Sequence, residues 1–132
     1  MVLPSPRLRS VKEGARTFPR LSDARADTVD AEVRWLMVRV PADLVYFDGH
    51  FPGHPVVAGV VQLNDLVLRA VRETWPDLRG LRRILRLKFR RVVGPEEVLS
   101  LHLERVRATS RVTFSHAAGD AQVGSGVLEF EP

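Results

Sequence analysis

Tyr46-Phe47-Asp48-Gly49-His50-Phe51-Pro52-Gly53-His54-Pro55-Val56-Val57-Ala58-Gly59-Val60-Val61-Gln62-Leu63-Asn64 is a loop crowded with glycine and proline that runs into an apolar helix. The prolines hold the chain out of helical geometry before about Val57, so the helix is expected to begin near Ala58 or Gly59. His50 thereby sits shortly ahead of a helix N-terminus, whose unpaired amides favour negative charge. That arrangement can hold an acid–base group against a bound acyl chain. The helix reads on to about Thr74, where Trp75-Pro76-Asp77 stops it, because the residue before a proline is driven out of the helical region. Val60, Val61, Leu63, Leu66, Val67, Leu68, Ala70 and Val71 nearly surround it. Such a helix is expected to be buried, with Arg69, Arg72 and Glu73 bringing its far end to solvent.

On either side of the helix the period is two. Val33, Trp35 and Met37 alternate with Arg34, Leu36 and Val38 up to Pro41, a strand expected to meet the core on both sides of its pleat. After the helix, Leu85, Leu87 and Phe89 alternate with Arg86, Lys88 and Arg90, then Leu99, Leu101 and Leu103 with Ser100, His102 and Glu104. Val112 and Phe114 alternate with Arg111, Thr113 and Ser115, and a last strand spans about Ala121 to Phe130. Gly94-Pro95, Ala108-Thr109 and Gly119-Asp120 supply the turns, while Gly124 and Gly126 mark a bulge or a close backbone approach. Connections this short suit antiparallel neighbours, so the expectation is α+β: one antiparallel sheet wrapped around one helix. A sheet of that kind keeps an edge and an open face, which a second copy would cover. Residues 1–28, with Pro4, Pro6, Pro19 and no sustained apolar period, read as a tail or extended lead-in, and residues 29–132 as a single domain.

The 132 residues, 45% of them hydrophobic, suit one domain with a modest core. No window approaches the roughly 20 continuous apolar residues of a membrane span, and no secretory core opens the chain, so a soluble cytoplasmic protein is expected. The absence of cysteine removes disulfides and zinc–thiolate sites. Net charge is +4, and apart from Lys12 and Lys88 the basic residues are arginines, which suit an anionic partner. Nucleic acid fits poorly, because the aromatic residues do not interleave with the arginines as stacking platforms. An acidic carrier protein and a plain arginine-rich solvated surface both fit the same charge. His50 and His54 are four apart, a metal-binding interval on a helix, but Pro52 and Pro55 forbid that helix, and no metal site is expected.

His50-Phe51-Pro52-Gly53-x-Pro55-x-x-x-Gly59-Val60-x-Gln62-Leu63 resembles the signature of hotdog-fold 3-hydroxyacyl-acyl-carrier-protein dehydratases of the FabA/FabZ type, and is closer to the small members found in aryl-polyene pigment clusters. Lys88-Phe89-Arg90-Arg91-Val92-Val93-Gly94-Pro95-Glu96-Glu97 is similar to the strand and turn that follow the helix in that family. The resemblance covers residues from roughly Asp30 to the C-terminus and implies a dimeric hotdog domain working without a cofactor. It implies that His50 takes a proton from C2 of a 3-hydroxyacyl thioester. Gly59 would receive the thioester carbonyl, with Phe51 and Val60 beside the substrate. The family's carboxylate, fourteen residues after the histidine and supplied by the partner subunit, falls on Asn64. Ala58 stands where the family usually has proline, a minor departure.

Asn64 is the serious departure, because an amide can hold a hydroxyl or water but has no proton to give. Its neighbour Asp65 is turned by about 100° around the helix, toward Arg69 and a surface ion pair. Asn64 itself is expected to be buried in the stripe of Val60, Val61, Leu68 and Val71. Arg86, Lys88, Arg90 and Arg91 alternate onto one strand face, either as a solvated edge or as the landing site of an acyl carrier protein. His102 and His116 read as structural or exposed. Three functions remain open: a dehydratase pairing with itself or another hotdog subunit, a non-catalytic partner subunit, and a hotdog thioesterase.

Overall fold

The computed structural model describes residues 14–47 and 57–132. Six strands, β1 (Arg20–Arg25), β2 (Ala31–Arg39), β3 (Leu81–Phe89), β4 (Val98–Val106), β5 (Arg111–Ala118) and β6 (Ala121–Phe130), form one sheet in the order β1-β2-β4-β5-β6-β3. Every neighbouring pair is antiparallel. Between β2 and β3 runs a continuous helix, α1. Gly59–Val61 and Arg69–Thr74 have α geometry, and Gln62–Leu68 is wound as a π-helix. Wider turns of that kind are uncommon and concentrate at functional sites.

The alternating apolar residues do what their period demands. Leu99, Leu101 and Leu103 of β4, Val112 and Phe114 of β5, and Leu128 of β6 are fully buried, packed with Leu66, Val67, Ala70 and Val71 of α1. Gly119, at φ 59, opens a two-residue turn between β5 and β6, the mirror-image kind that matches strand twist. Gly126 allows a close approach: a Cβ there would lie 2.8 Å from Phe114 Cε1.

At its far end α1 is pinned to the sheet by Trp75, which is 4% exposed. Its indole N–H donates to Glu32 Oε2 at 2.7 Å, and the guanidinium carbons of Arg34 and Arg105 lie 5.8 and 6.0 Å from its ring centroid. Arg105 also grips Asp77 through two bonds of 3.0 and 2.8 Å, which holds the chain just past the helix.

Three expectations are corrected. The sheet begins not near Asp30 but at Arg20, because the segment read as a lead-in contributes β1. All six β1 residues are exposed, so the strand carries no apolar period to detect, although Phe18 just before it reaches the core at 7% exposure. The strand now seen as β2 does not face the core on both sides. Leu36 and Val38 do, but Trp35 and Met37 are 46% and 38% exposed on an outer face that no second layer of the described residues covers. Finally, the alternation in β3 breaks at Arg86, where φ is 55 and the pairing with β6 shifts register between Leu85 and Lys88.

Candidate functional site

The N-terminus of α1 follows from its own first turn. Ala58 is extended at φ −62 and ψ 149, and its carbonyl accepts from both Val61 N–H and Gln62 N–H, at 3.0 and 3.1 Å. Of the four amides a helix start leaves without intrahelical partners, those of Gly59 and Val60 have no acceptor among the described residues. They open beside a cleft of about 400 Å³ lined by Val57, Gly59, Gln62, Phe89, Arg90 and Arg91. The Phe89 ring lies over Gly59, where a Cβ would come within 2.9 Å of its Cε2, so glycine is required for that closeness. Amides carrying the positive end of a helix, in a cleft with two guanidinium groups, suit a carbonyl on which negative charge develops.

His50 and Phe51, together with Asp48-Gly49 and His54, lie outside the described residues. Val60, the residue after the cleft-lining Gly59, is 62% exposed. Asn64, expected to be buried, is exposed. It lines an open hollow with Leu68, Arg69, Arg72 and Glu73. The reason is geometric. A single sheet covers only one side of α1, so Val60, Asn64 and Arg72 are left exposed outside the core, with Leu68 between them half-buried against its edge. Asp65 does turn toward Arg69, with 3.9 Å between Oδ1 and Nη2. Arg90 and Arg91 share the cleft, while Lys88 precedes the cleft-lining Phe89 on β3 and Arg86 falls within the strand's register shift. Arg91 is engaged with Glu97 at 2.9 Å.

Sequence reasoning missed Gln62 and underrated His116. Gln62 is 2% exposed, and its Nε2–H donates to the Val57 carbonyl at 2.9 Å. That fixes the amide orientation, so Oε1 faces His116 Nε2 at 2.8 Å and the imidazole must carry its proton there. His116 is 1% exposed, its Nδ1 has no partner among the described residues, and burial pushes its pKa down to about 4. It is a neutral ring at ordinary pH. The signal was present: Gln62 is a polar residue in an otherwise apolar run, and Gly124 stands where a Cβ would collide with His116 Cε1 at 2.5 Å.

Comparison with known proteins places this geometry. The 3-hydroxyacyl-[acyl-carrier-protein] dehydratase FabZ of Levilactobacillus brevis is 37% identical over 73 residues, which are 51% of this chain and 49% of that protein. The chain thus spans about half the length of that curated relative. An uncharacterized protein from Erwinia carotovora subsp. atroseptica superposes with a TM-score of 0.71 at 27% identity, over 87% of this chain and 96% of that one. The dehydratase heterocomplex ApeI:P from Xenorhabdus doucetiae gives a TM-score of 0.74 at 18% identity, over 88% and 99%, and shares the hotdog fold. A family model described as ApeI-like, ApeI dehydratase, matches residues 26–127, which hold α1, β2 to β5 and most of β6 but not β1. The chain therefore belongs to the ApeI-like dehydratase family of hotdog proteins.

Proposed function

We propose that this chain acts on carrier-bound 3-hydroxyacyl thioesters, removing water to leave a trans-2-enoyl thioester in fatty-acid or aryl-polyene-type synthesis. His50 takes the C2 proton, and the electrons move toward the thioester carbonyl, held by the amides at Gly59 and Val60. The C2–C3 double bond forms as the C3–O bond breaks, and the proton taken up by His50 passes to the departing hydroxyl, which leaves as water. Asn64 from a second subunit orients that hydroxyl. The observation that carries this reading is the pair of amides, unpaired among the described residues, that opens a largely buried helix beside an apolar and cationic cleft. The exposed residues Val60, Asn64 and Arg72 of α1, with β3 at the edge of the sheet, support a homodimer or heterodimer as the working unit. Arg86, Lys88, Arg90 and Arg91 are the proposed landing site for an acidic acyl carrier protein.

The test is to give the purified protein 3-hydroxyacyl-loaded and enoyl-loaded carrier and follow their interconversion by mass spectrometry. Interconversion in both directions is expected, and its absence with both substrates overturns catalysis by this chain alone. Asn64 favours one second reading, a subunit that completes a heterodimer whose other chain supplies the carboxylate. Asn64→Asp should then create or sharply raise activity in the isolated protein. A fall instead would make asparagine the working residue.

A further inference from the structure

Val57, the residue before the helix cap, is held from both sides. Its N–H donates to the Val93 carbonyl at 2.7 Å, and its own carbonyl receives the Gln62 side chain at 2.9 Å. Gln62 therefore reaches back over the first turn of α1 to the segment that sets the angle at which the helix starts. Val93 belongs to the loop after β3, so the same residue ties the helix entrance to the opposite wall of the cleft. Gln62 is held in turn by His116 of β5 at 2.8 Å, and His116 is wedged against Gly124 and the edge of Phe89, with ring centroids 6.3 Å apart. No exposed residue takes part in the Gln62–His116 contact, as the two are 2% and 1% exposed.

We propose that Gln62 is a positioning residue. By clamping the Val57 carbonyl, with its own amide locked by the Nε2–H tautomer of His116, it aims the Gly59 and Val60 amides into the cleft. This deepens the reading above, since those amides are the ones assigned to the thioester carbonyl. A buried glutamine is an expensive way to fill space in a helix whose neighbouring core positions are leucine and valine, unless both ends of its amide are used. Here both are used, one on the cleft-lining Val57 and the other on His116 of β5, whose ring packs against Phe89 of the cleft wall. The neutral, buried state of His116 keeps that lock unchanged across the pH range in which an unperturbed histidine would titrate.

The experiment compares wild type with Gln62→Leu and with Gln62→Met, the latter matched in length should the branched side chain not fit. In labelled protein, the His116 ring should carry its proton on Nε2 at neutral pH. In both variants the backbone amide resonances of Gly59 and Val60 should move, while the Trp75 indole resonance at the other end of α1 stays in place. With 3-hydroxyacyl-loaded carrier, kcat should fall about tenfold or more with KM within about twofold, the pattern of a loss felt only as charge develops. His116→Gln, which keeps a donor for the Gln62 oxygen, should retain most of the wild-type kcat. Unmoved Gly59 and Val60 resonances, an Nδ1-protonated His116, or an unchanged kcat would each overturn the assignment. If wild type itself turns over no hydroxyacyl substrate, the functional reading fails, and the amide resonances still decide whether Gln62 aims the helix entrance.

Discussion

The two ends of α1 are built to opposite ends. At the far end every strong group is matched: the Trp75 indole meets Glu32, Arg34 and Arg105 lie against its ring, and Arg105 binds Asp77. At the near end Gln62 spends its amide on Val57 and His116, and the amides of Gly59 and Val60 have no acceptor among the described residues. One end spends its chemistry on stability. The other leaves backbone groups without an acceptor among the described residues, as any helix start does and as anion-binding sites exploit.

The contrast can be broken most forcefully at Trp75. Trp75→Ala removes a buried ring, takes the indole donor from Glu32 and leaves Arg34 and Arg105 without their stacking surface, so unfolding in denaturant should show a loss of about 3–5 kcal/mol. A loss below about 1 kcal/mol would mean that the far end is not the anchor.

Acid should attack the near end next. His116 binds a proton in the folded state only near pH 4, whereas the unfolded chain binds it near the ordinary 6.5. Unfolding therefore takes up a proton between those values, and stability falls as pH drops from about 6.5, levelling near 4, by on the order of 3 kcal/mol. Denaturant midpoints measured across that range should lose most of this slope in His116→Gln. A slope that persists in the variant would assign it to other groups.

Gly124→Ala sharpens the comparison further. The new methyl would lie 2.5 Å from His116 Cε1 and 3.0 Å from the Lys88 carbonyl, and the ring cannot yield without releasing Gln62. A cost of about 1–3 kcal/mol is expected from thermal melting, with the His116 ring resonances shifted. Asn64→Asp should have the smallest effect on the single chain, within about 0.5 kcal/mol, because the side chain is exposed there. A protein-concentration-dependent change in melting temperature at this position would instead report that a second subunit covers it.

Much of this was legible in the chain. The helix bounds, the four strands that follow it and the stop at Trp75-Pro76 match the structure closely, because apolar period and proline act within a few residues of where they stand. The near approach at Gly124 and Gly126 was legible as well, since glycine inside a strand has few other uses. By contrast, β1 could not be read, as an edge strand with all six residues exposed has nothing to alternate. Nor could the break at Arg86, which depends on how β3 must shift to stay paired with β6. Asn64 was misjudged for a related reason. The apolar pattern counts how much of α1 wants cover, while the sheet decides how much of it one chain can provide.

By itself, then, the order of residues determined the α+β class, the bounds of α1 and the His50-to-Leu63 motif that carries the family resemblance, all of them held in local pattern. Only the tertiary structure decided that Gln62 would meet His116, 54 residues away, and that Phe89 would lie over Gly59. Contacts of that kind arise where separate strands and a helix are brought together by the burial of a shared core, and no local preference of either residue encodes its partner.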